Sequence, residues 1–154
     1  MPESSASPDP FLAEYEPSPI DRIRNQVAEF EASGGAEANT LEGRPVVILT
    51  TIGAKSLKLR KNPVIRIERD GTYVAVASAA GSPKNPSWYR NMIAHPRVQV
   101  QDGPVVREYA VREVSGAEKA EWWLVAESFW PYYPQYREKA EGRDIPVVLL
   151  EPIE

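Results

Sequence analysis

The sequence predicts a mainly β fold of the α+β class: six antiparallel strands curled into a barrel, with helices kept to its outside. Three observations predict it. Runs rich in β-branched residues recur between residues 44 and 151. Asp70-Gly71 and Asp102-Gly103 each stand between two such runs, the sequence signature of a tight hairpin. Helical patterns fall before the strands or late among them, so few segments are free to act as crossovers. Six short strands bury their edges best by closing on themselves.

Taken in order, residues 1–19 hold five prolines (Pro2, Pro8, Pro10, Pro17 and Pro19) among Ser, Asp and Glu, and read as a flexible tail. Residues 20–154 read as a single domain. Ile20, Ile23, Val27 and Phe30 recur on one helical face, which predicts a helix over 20–33 ended by Gly34-Gly35. Strands are expected at Arg44–Ile52, Asn62–Arg69, Thr72–Ala79, Arg97–Gln101, Pro104–Val114 and Pro146–Glu151. Asn85-Pro86 predicts a helix start, with Asn capping and Pro in the first turn, and Pro96 sets its limit. Ser115 and Glu118 have capping-box spacing and open a helix running to Phe129 before Pro131. A short helix is expected from about Pro134 to Gly142.

Composition excludes several chemistries. The chain has 154 residues, 42% apolar and 26% charged, which suits one packed core. It contains no cysteine and one histidine, His95, so thiolate catalysis, disulfides and multi-histidine metal sites are ruled out. No metal site is expected. His95, before Pro96, reads as a cap or surface residue. A net charge of -4 argues against bulk nucleic-acid binding. No basic segment followed by an apolar one opens the sequence, and no run spans a bilayer, so a cytoplasmic location is expected.

The charge is distributed unevenly. Residues 1–43 hold nine acids and two bases, whereas residues 44–69 hold seven bases and one acid. A basic island in an acidic chain marks a local anion site. Within it, Gly53-Ala54-Lys55-Ser56-Leu57-Lys58-Leu59-Arg60 joins two strands. Lys55, Ser56, Lys58 and Arg60 offer charge-assisted donors to phosphate or carboxylate oxygens. Alternation places Lys58 and Arg60 on one side and Leu57 and Leu59 on the other. A solvated basic hairpin is the competing reading. A dinucleotide fingerprint, a complete phosphate loop and a nucleophile elbow are all absent.

Two further segments stand out. Ser78-Ala79-Ala80-Gly81 ends a strand in small residues ahead of Asn85-Pro86-Ser87-Trp88-Tyr89-Arg90-Asn91, an arrangement that lets a flat ring approach backbone and a helix N-terminus. Phe129, Trp130, Tyr132, Tyr133 and Tyr136 crowd a short stretch broken by Pro131 and Pro134. Such a stretch serves as the wall of an apolar pocket or cements a helix to the barrel.

Together, GAKSLKLRKNPV at 53–64, ASAAGSPKNPSWYRNMIAHP at 77–96 and YYPQYREKAEGRDIPVVLLEP at 132–152 resemble the deazaflavin-dependent nitroreductase family. The resemblance implies a split β-barrel of the FMN-binding type. It implies coenzyme F420, a deazaflavin carrying a phosphate and a polyglutamyl tail. By the same resemblance, Lys55, Ser56, Lys58 and Arg60 hold the anionic end. Pro63, Val64, Ala77, Ser78, Trp88 and Asn91 match positions lining the ring. Tyr133, Tyr136 and Ser78 stand nearest the acceptor, where they orient or protonate it. The implied reaction is hydride transfer from the reduced deazaflavin to a flat apolar acceptor: a quinone, an enone or a nitroaromatic. Two alternatives remain at this point, an FMN-dependent reductase on the same barrel and a non-catalytic deazaflavin carrier. The sequence departs from the family's pattern at Leu57, where glycine is usual, at Ala79, where lysine is common, and at Trp130, where some members have tyrosine. It leaves open a homodimer and, for a lipid quinone, contact with the inner face of the cell membrane.

Overall fold

The computed structural model describes residues 9–78, 84–139 and 144–153. Its strands are β1 (Thr40–Leu41), β2 (Arg44–Ile52), β3 (Leu59–Ile65), β4 (Glu68–Arg69), β5 (Thr72–Val76), β6 (Arg97–Asp102), β7 (Val105–Val114) and β8 (Val147–Pro152). The helices are α1 (Asp21–Ala32), α2 (Ser87–Ala94), α3 (Gly116–Phe129) and α4 (Tyr133–Lys139), with a 3₁₀ turn at Pro10–Leu12.

All pairings between these strands are antiparallel, in the order β1-β2-β6-β7-β8-β5-β4, and β3 also pairs with β2. The count is eight rather than the expected six, because the strand expected at Asn62–Arg69 is bent and split. Arg66 N–H still donates to Pro45 O beside β2, whereas Ile67 O accepts from Val74 N–H in β5. The chain changes partner between those two residues. β3 and β4 therefore act as one bent strand serving both ends of the sheet, and this closes the split barrel. β1 is a two-residue addition with no propensity signal of its own.

Packing follows the two-residue period of the strands. Val47 and Leu49 of β2, Tyr73 and Ala75 of β5, Val98 and Val100 of β6, and Val148 and Leu150 of β8 fill the barrel interior, with Met92 of α2 among them. The alternate residues of β5 and β8 pack outside against Trp122, Trp123, Ala126 and Trp130 of the α3 region. Those of β2 meet Val27 and Phe30 of α1. Strands covered on both faces read as near-continuous apolar runs, which is the look of Arg44–Ile52 in sequence.

The hairpins differ in detail. Asp70 and Gly71 both adopt positive φ (54° and 86°), the turn their identities predict. In the second hairpin Asp102 remains in β6, and Gly103, at φ 59°, shares the turn with Pro104. The Asp102 carboxylate accepts from Arg66 Nε–H at 2.9 Å and from the Tyr73 hydroxyl.

Two helix-start signals are not used as expected. The N-cap of α2 is Pro86, without a side-chain cap, and its first residue is Ser87. Ser115 makes no capping bond at α3; Glu118 accepts instead from both terminal nitrogens of Arg112, each at 3.0 Å. An exposed carboxylate near a guanidinium gains more from that bidentate pair than from one backbone N–H. The last short helix begins at Tyr133; its expected end at Gly142 lies outside the described residues, as does Ala79.

The proline-rich beginning is also more than a tail. Phe11 is buried against Ile52 and Leu59. Tyr15 forms a parallel bridge with Leu59, with Leu59 N–H donating to Glu14 O at 2.8 Å and Glu16 N–H to Leu59 O at 2.9 Å.

Candidate functional site

Six residues, 53–58, connect β2 to β3 and carry the basic sequence. Gly53 N–H donates to Lys58 O at 2.8 Å, Leu57 N–H returns to Gly53 O at 3.1 Å, and the Ser56 hydroxyl accepts from Lys58 N–H at 3.1 Å. A Cβ on residue 53 would collide with Ser56 Oγ and lie 3.1 Å from Lys58 O, so any larger residue would displace the Ser56 hydroxyl from its bond to Lys58 N–H. Leu57 sits at φ 62°, in the left-handed region that costs a residue with a Cβ roughly 1–2 kcal/mol. This is where the family pattern has glycine. The same turn breaks the expected alternation: Leu57 is exposed, and only Leu59 is buried.

The loop is tied to α2 by Asn91. Its Oδ1 accepts from Ala54 N–H at 3.0 Å, and its Nδ2 donates to Thr51 Oγ1 at 3.0 Å. Asn91 and Thr51 are both buried. Asn91, expected beside a ring, thus holds the 53–58 loop against α2. Ser87, Arg90 and Asn91 share one face of α2 by their i, i+3, i+4 spacing, and all three border a hollow of about 350 Å³ with Lys55, Ser56 and Arg60. Arg90 was not singled out as a binding residue from sequence, although that helical spacing carried the signal. Among the described residues neither Lys55 nor Arg90 stands in an ion pair.

A second hollow of about 430 Å³ lies beside this one, with Arg60 and Ser87 in the wall of both and with Asn62, Pro63 and Trp88 added. The second joins a third of about 210 Å³ through Leu41, Pro63 and Trp88. The third is apolar and aromatic, bordered by Val64, Val76, Ser78, Trp130, Tyr133 and Tyr136. The three adjoining hollows form a row, here called the groove, cationic at one end and flat-walled at the other. Tyr133 is 4% exposed, with its ring 6.2 Å from that of Tyr136 and 5.8 Å from that of Trp123. Burial, and secondarily the neighbouring Tyr136, hold its phenol well above the ordinary tyrosine range.

Most of the sequence-predicted residues therefore converge on the groove: Lys55, Ser56, Arg60, Pro63, Val64, Ser78, Trp88, Asn91, Tyr133 and Tyr136. Two do not line it. Ala77 is fully buried and donates its N–H to Pro146 O at 3.0 Å, a barrel role. Lys58 points to Glu14, 3.5 Å away. Leu41, Trp130 and Glu16 also border the groove. Leu41 lies on β1, which had no sequence signal; Glu16 arrives with the N-terminal segment. The largest hollow, about 510 Å³ between β7 and α3, holds none of the residues predicted for the site; Lys119 and Asp144 pair across its rim at 2.7 Å. Size alone does not locate the chemistry.

A split barrel bearing a groove with a flat apolar end and a cationic end defines a flavin-type reductase. Comparison with known proteins makes this specific. The model of the F420H(2)-dependent quinone reductase family matches residues 22–152, and the chain belongs to that family. It is an F420-dependent oxidoreductase, as the deazaflavin resemblance implied, and its coenzyme is F420. An F420H(2)-dependent quinone reductase of Mycobacterium tuberculosis is 28% identical over 135 residues, covering 85% of this chain and 90% of the relative. Among solved structures, an F420-H2 dependent reductase (FDR-A) is 47% identical with a TM-score of 0.66, covering 70% of this chain and 95% of its own. A second, described as a domain-swapped dimer, is 42% identical with a TM-score of 0.68, covering 87% and 100%. Among the described residues no helix is long and apolar enough to cross a membrane.

Proposed function

We propose that the groove holds coenzyme F420 with its ring at the apolar end and its anionic end at the basic loop, and that the acceptor is a quinone. The observation that carries this reading is the adjacency of the three hollows, whose shared walls set flat apolar surfaces beside cations. The residues fit the coenzyme: Pro63 and Trp88 offer planar apolar walls, and Lys55, Arg60 and Arg90 offer guanidinium and ammonium donors for phosphate and carboxylate oxygens. The reduced coenzyme supplies the hydride. The protein supplies position and a dry pocket.

Within that pocket Tyr133 remains a neutral phenol and donates a hydrogen bond to an acceptor oxygen without ionising. Tyr136, half-buried beside it, and Ser78 complete the polar contacts of an otherwise apolar end. A quinone suits such a place because it is flat, apolar and carries two carbonyl oxygens. Enones and nitroaromatics share the flat outline and are tested alongside it.

The test begins with titration of oxidised F420 and, in parallel, FMN. Saturable binding of F420 without FMN is expected; FMN binding in its place would retain the barrel and overturn the coenzyme placement. Turnover with a panel of quinones, enones and nitroaromatics then follows. Tyr133→Phe and Tyr136→Phe are expected to lower kcat for quinones; unchanged turnover with every accepted quinone would remove the phenols from the mechanism.

A further inference from the structure

The acidic N-terminal segment meets the basic loop at the end of the groove where an anion would sit. Its backbone is fixed there. Residues 14–16 add to the start of β3 through the two hydrogen bonds of Leu59, Phe11 is buried against Ile52 and Leu59, and Arg97 lies 5.9 Å from the Phe11 ring. Further along, Arg24 donates to Ser18 O at 3.0 Å. Lys61 lies 4.9 Å over the Tyr15 ring.

Alternation along an extended segment sends Glu14 and Glu16 to one side. Glu14 stands 3.5 Å from Lys58, and Glu16 stands 3.8 Å from Arg60. Glu16 also borders the basic hollow itself. Two of the three loop cations are thus already partnered by carboxylates of the same chain. The Lys58–Glu14 pair is exposed and the Arg60–Glu16 pair half-buried, and both are loosely spaced, so each is weak and yields to a better anion. The backbone that carries them does not move away with that exchange, since hydrogen bonds and Phe11 hold it independently.

We propose that Glu14 and Glu16 set the strength of the cationic end: a fixed counter-charge that makes it too weak to retain a ring-less polyanion, so that binding requires the ring end as well. The proposal rests on the coenzyme placement given above. Without the two carboxylates, Arg60 stands unopposed beside Lys55 and Arg90 at the hollow, and Lys58, released from Glu14, adds its charge from outside the wall. With them, a ligand gains enough only by filling both ends of the groove.

The experiment compares the wild type, the Glu14→Gln/Glu16→Gln double variant and the Glu14→Asp/Glu16→Asp double variant. Affinity for oxidised F420 is read by fluorescence, and affinity for inorganic pyrophosphate by calorimetry, at low and at high ionic strength. The Gln variant is expected to bind both ligands about threefold to tenfold more tightly at low salt, as loss of two surface-pair competitors allows. The gain should fade at high salt. The Asp variant should remain within about twofold of the wild type. Unchanged or weaker pyrophosphate binding by the Gln variant, or no pyrophosphate binding by any form, would overturn the counter-charge. If F420 fails to bind any form while pyrophosphate binding strengthens in the Gln variant, the coenzyme placement falls and the counter-charge stands.

Discussion

The two ends of the groove are built by opposite means. The cationic end is built around one loop of six residues between paired strands, closed by its own hydrogen bonds and pinned by Asn91, with Arg60 of β3 and Arg90 of α2 beside it. The apolar end gathers residues from β1, β3, β5, α2 and the aromatic stretch after α3. Its walls are also core: Trp130 and Tyr133 belong to the cluster that seats α3 on the barrel. Binding at the cationic end is therefore separable from stability, and at the apolar end it is not.

That contrast is easily broken or sharpened. Trp130 is 2% exposed, and Trp130→Ala should cost roughly 3–5 kcal/mol of stability, read as a lowered denaturation midpoint. Lys55→Ala should leave the midpoint within about 0.5 kcal/mol of the wild type. A comparable loss from both would abolish the distinction. In coenzyme affinity, Lys55→Ala should cost about 1.5–3 kcal/mol, tenfold or more, and flatten the salt dependence. Arg60→Ala should cost less, because Glu16 already offsets part of its charge.

At the cationic end Asn91 is the exception, a residue through which stability and binding move together. Asn91→Ala leaves the Ala54 N–H and the Thr51 hydroxyl without their partner, and should cost about 1–3 kcal/mol of stability while also weakening coenzyme binding. A drop in stability with affinity intact would mean that the loop keeps its shape unaided. The smallest effect is expected at Leu57. Leu57→Gly relieves the left-handed strain but adds freedom to the unfolded chain, for a net gain of at most about 1 kcal/mol in thermal unfolding.

The N-terminal acidic segment and the Gly53–Arg60 loop, both basic-island neighbours in space, were unequally readable. The loop's donors were legible because their chemistry is local: three cations and a serine between two strong strand signals. The segment before α1 read as a tail because prolines and acids dominate its composition, and nothing local says that Phe11 has a place to be buried or that Leu59 has spare backbone groups to pair. The two-residue strands β1 and β4 escaped for the same reason, since a pairing so short has no propensity signal and exists only because its partner is already there.

By itself the sequence determined the mainly antiparallel class, the Asp70-Gly71 hairpin, the extent of Arg44–Ile52, the coenzyme family and most residues of the groove. The class, the hairpin and the strand rest on period and turn chemistry, which neighbours along the chain suffice to express; the coenzyme and the residues placed around its ring came from the resemblance of three segments to a known family. Tertiary structure alone decided the change of partners at Arg66 and Ile67 that closes the barrel, the diversion of Glu118 to Arg112, the structural use of Asn91 and Ala77, and the meeting of Glu14 and Glu16 with Lys58 and Arg60. Those are contests between alternative partners. Their outcome depends on distances between segments remote in sequence, which no local pattern contains.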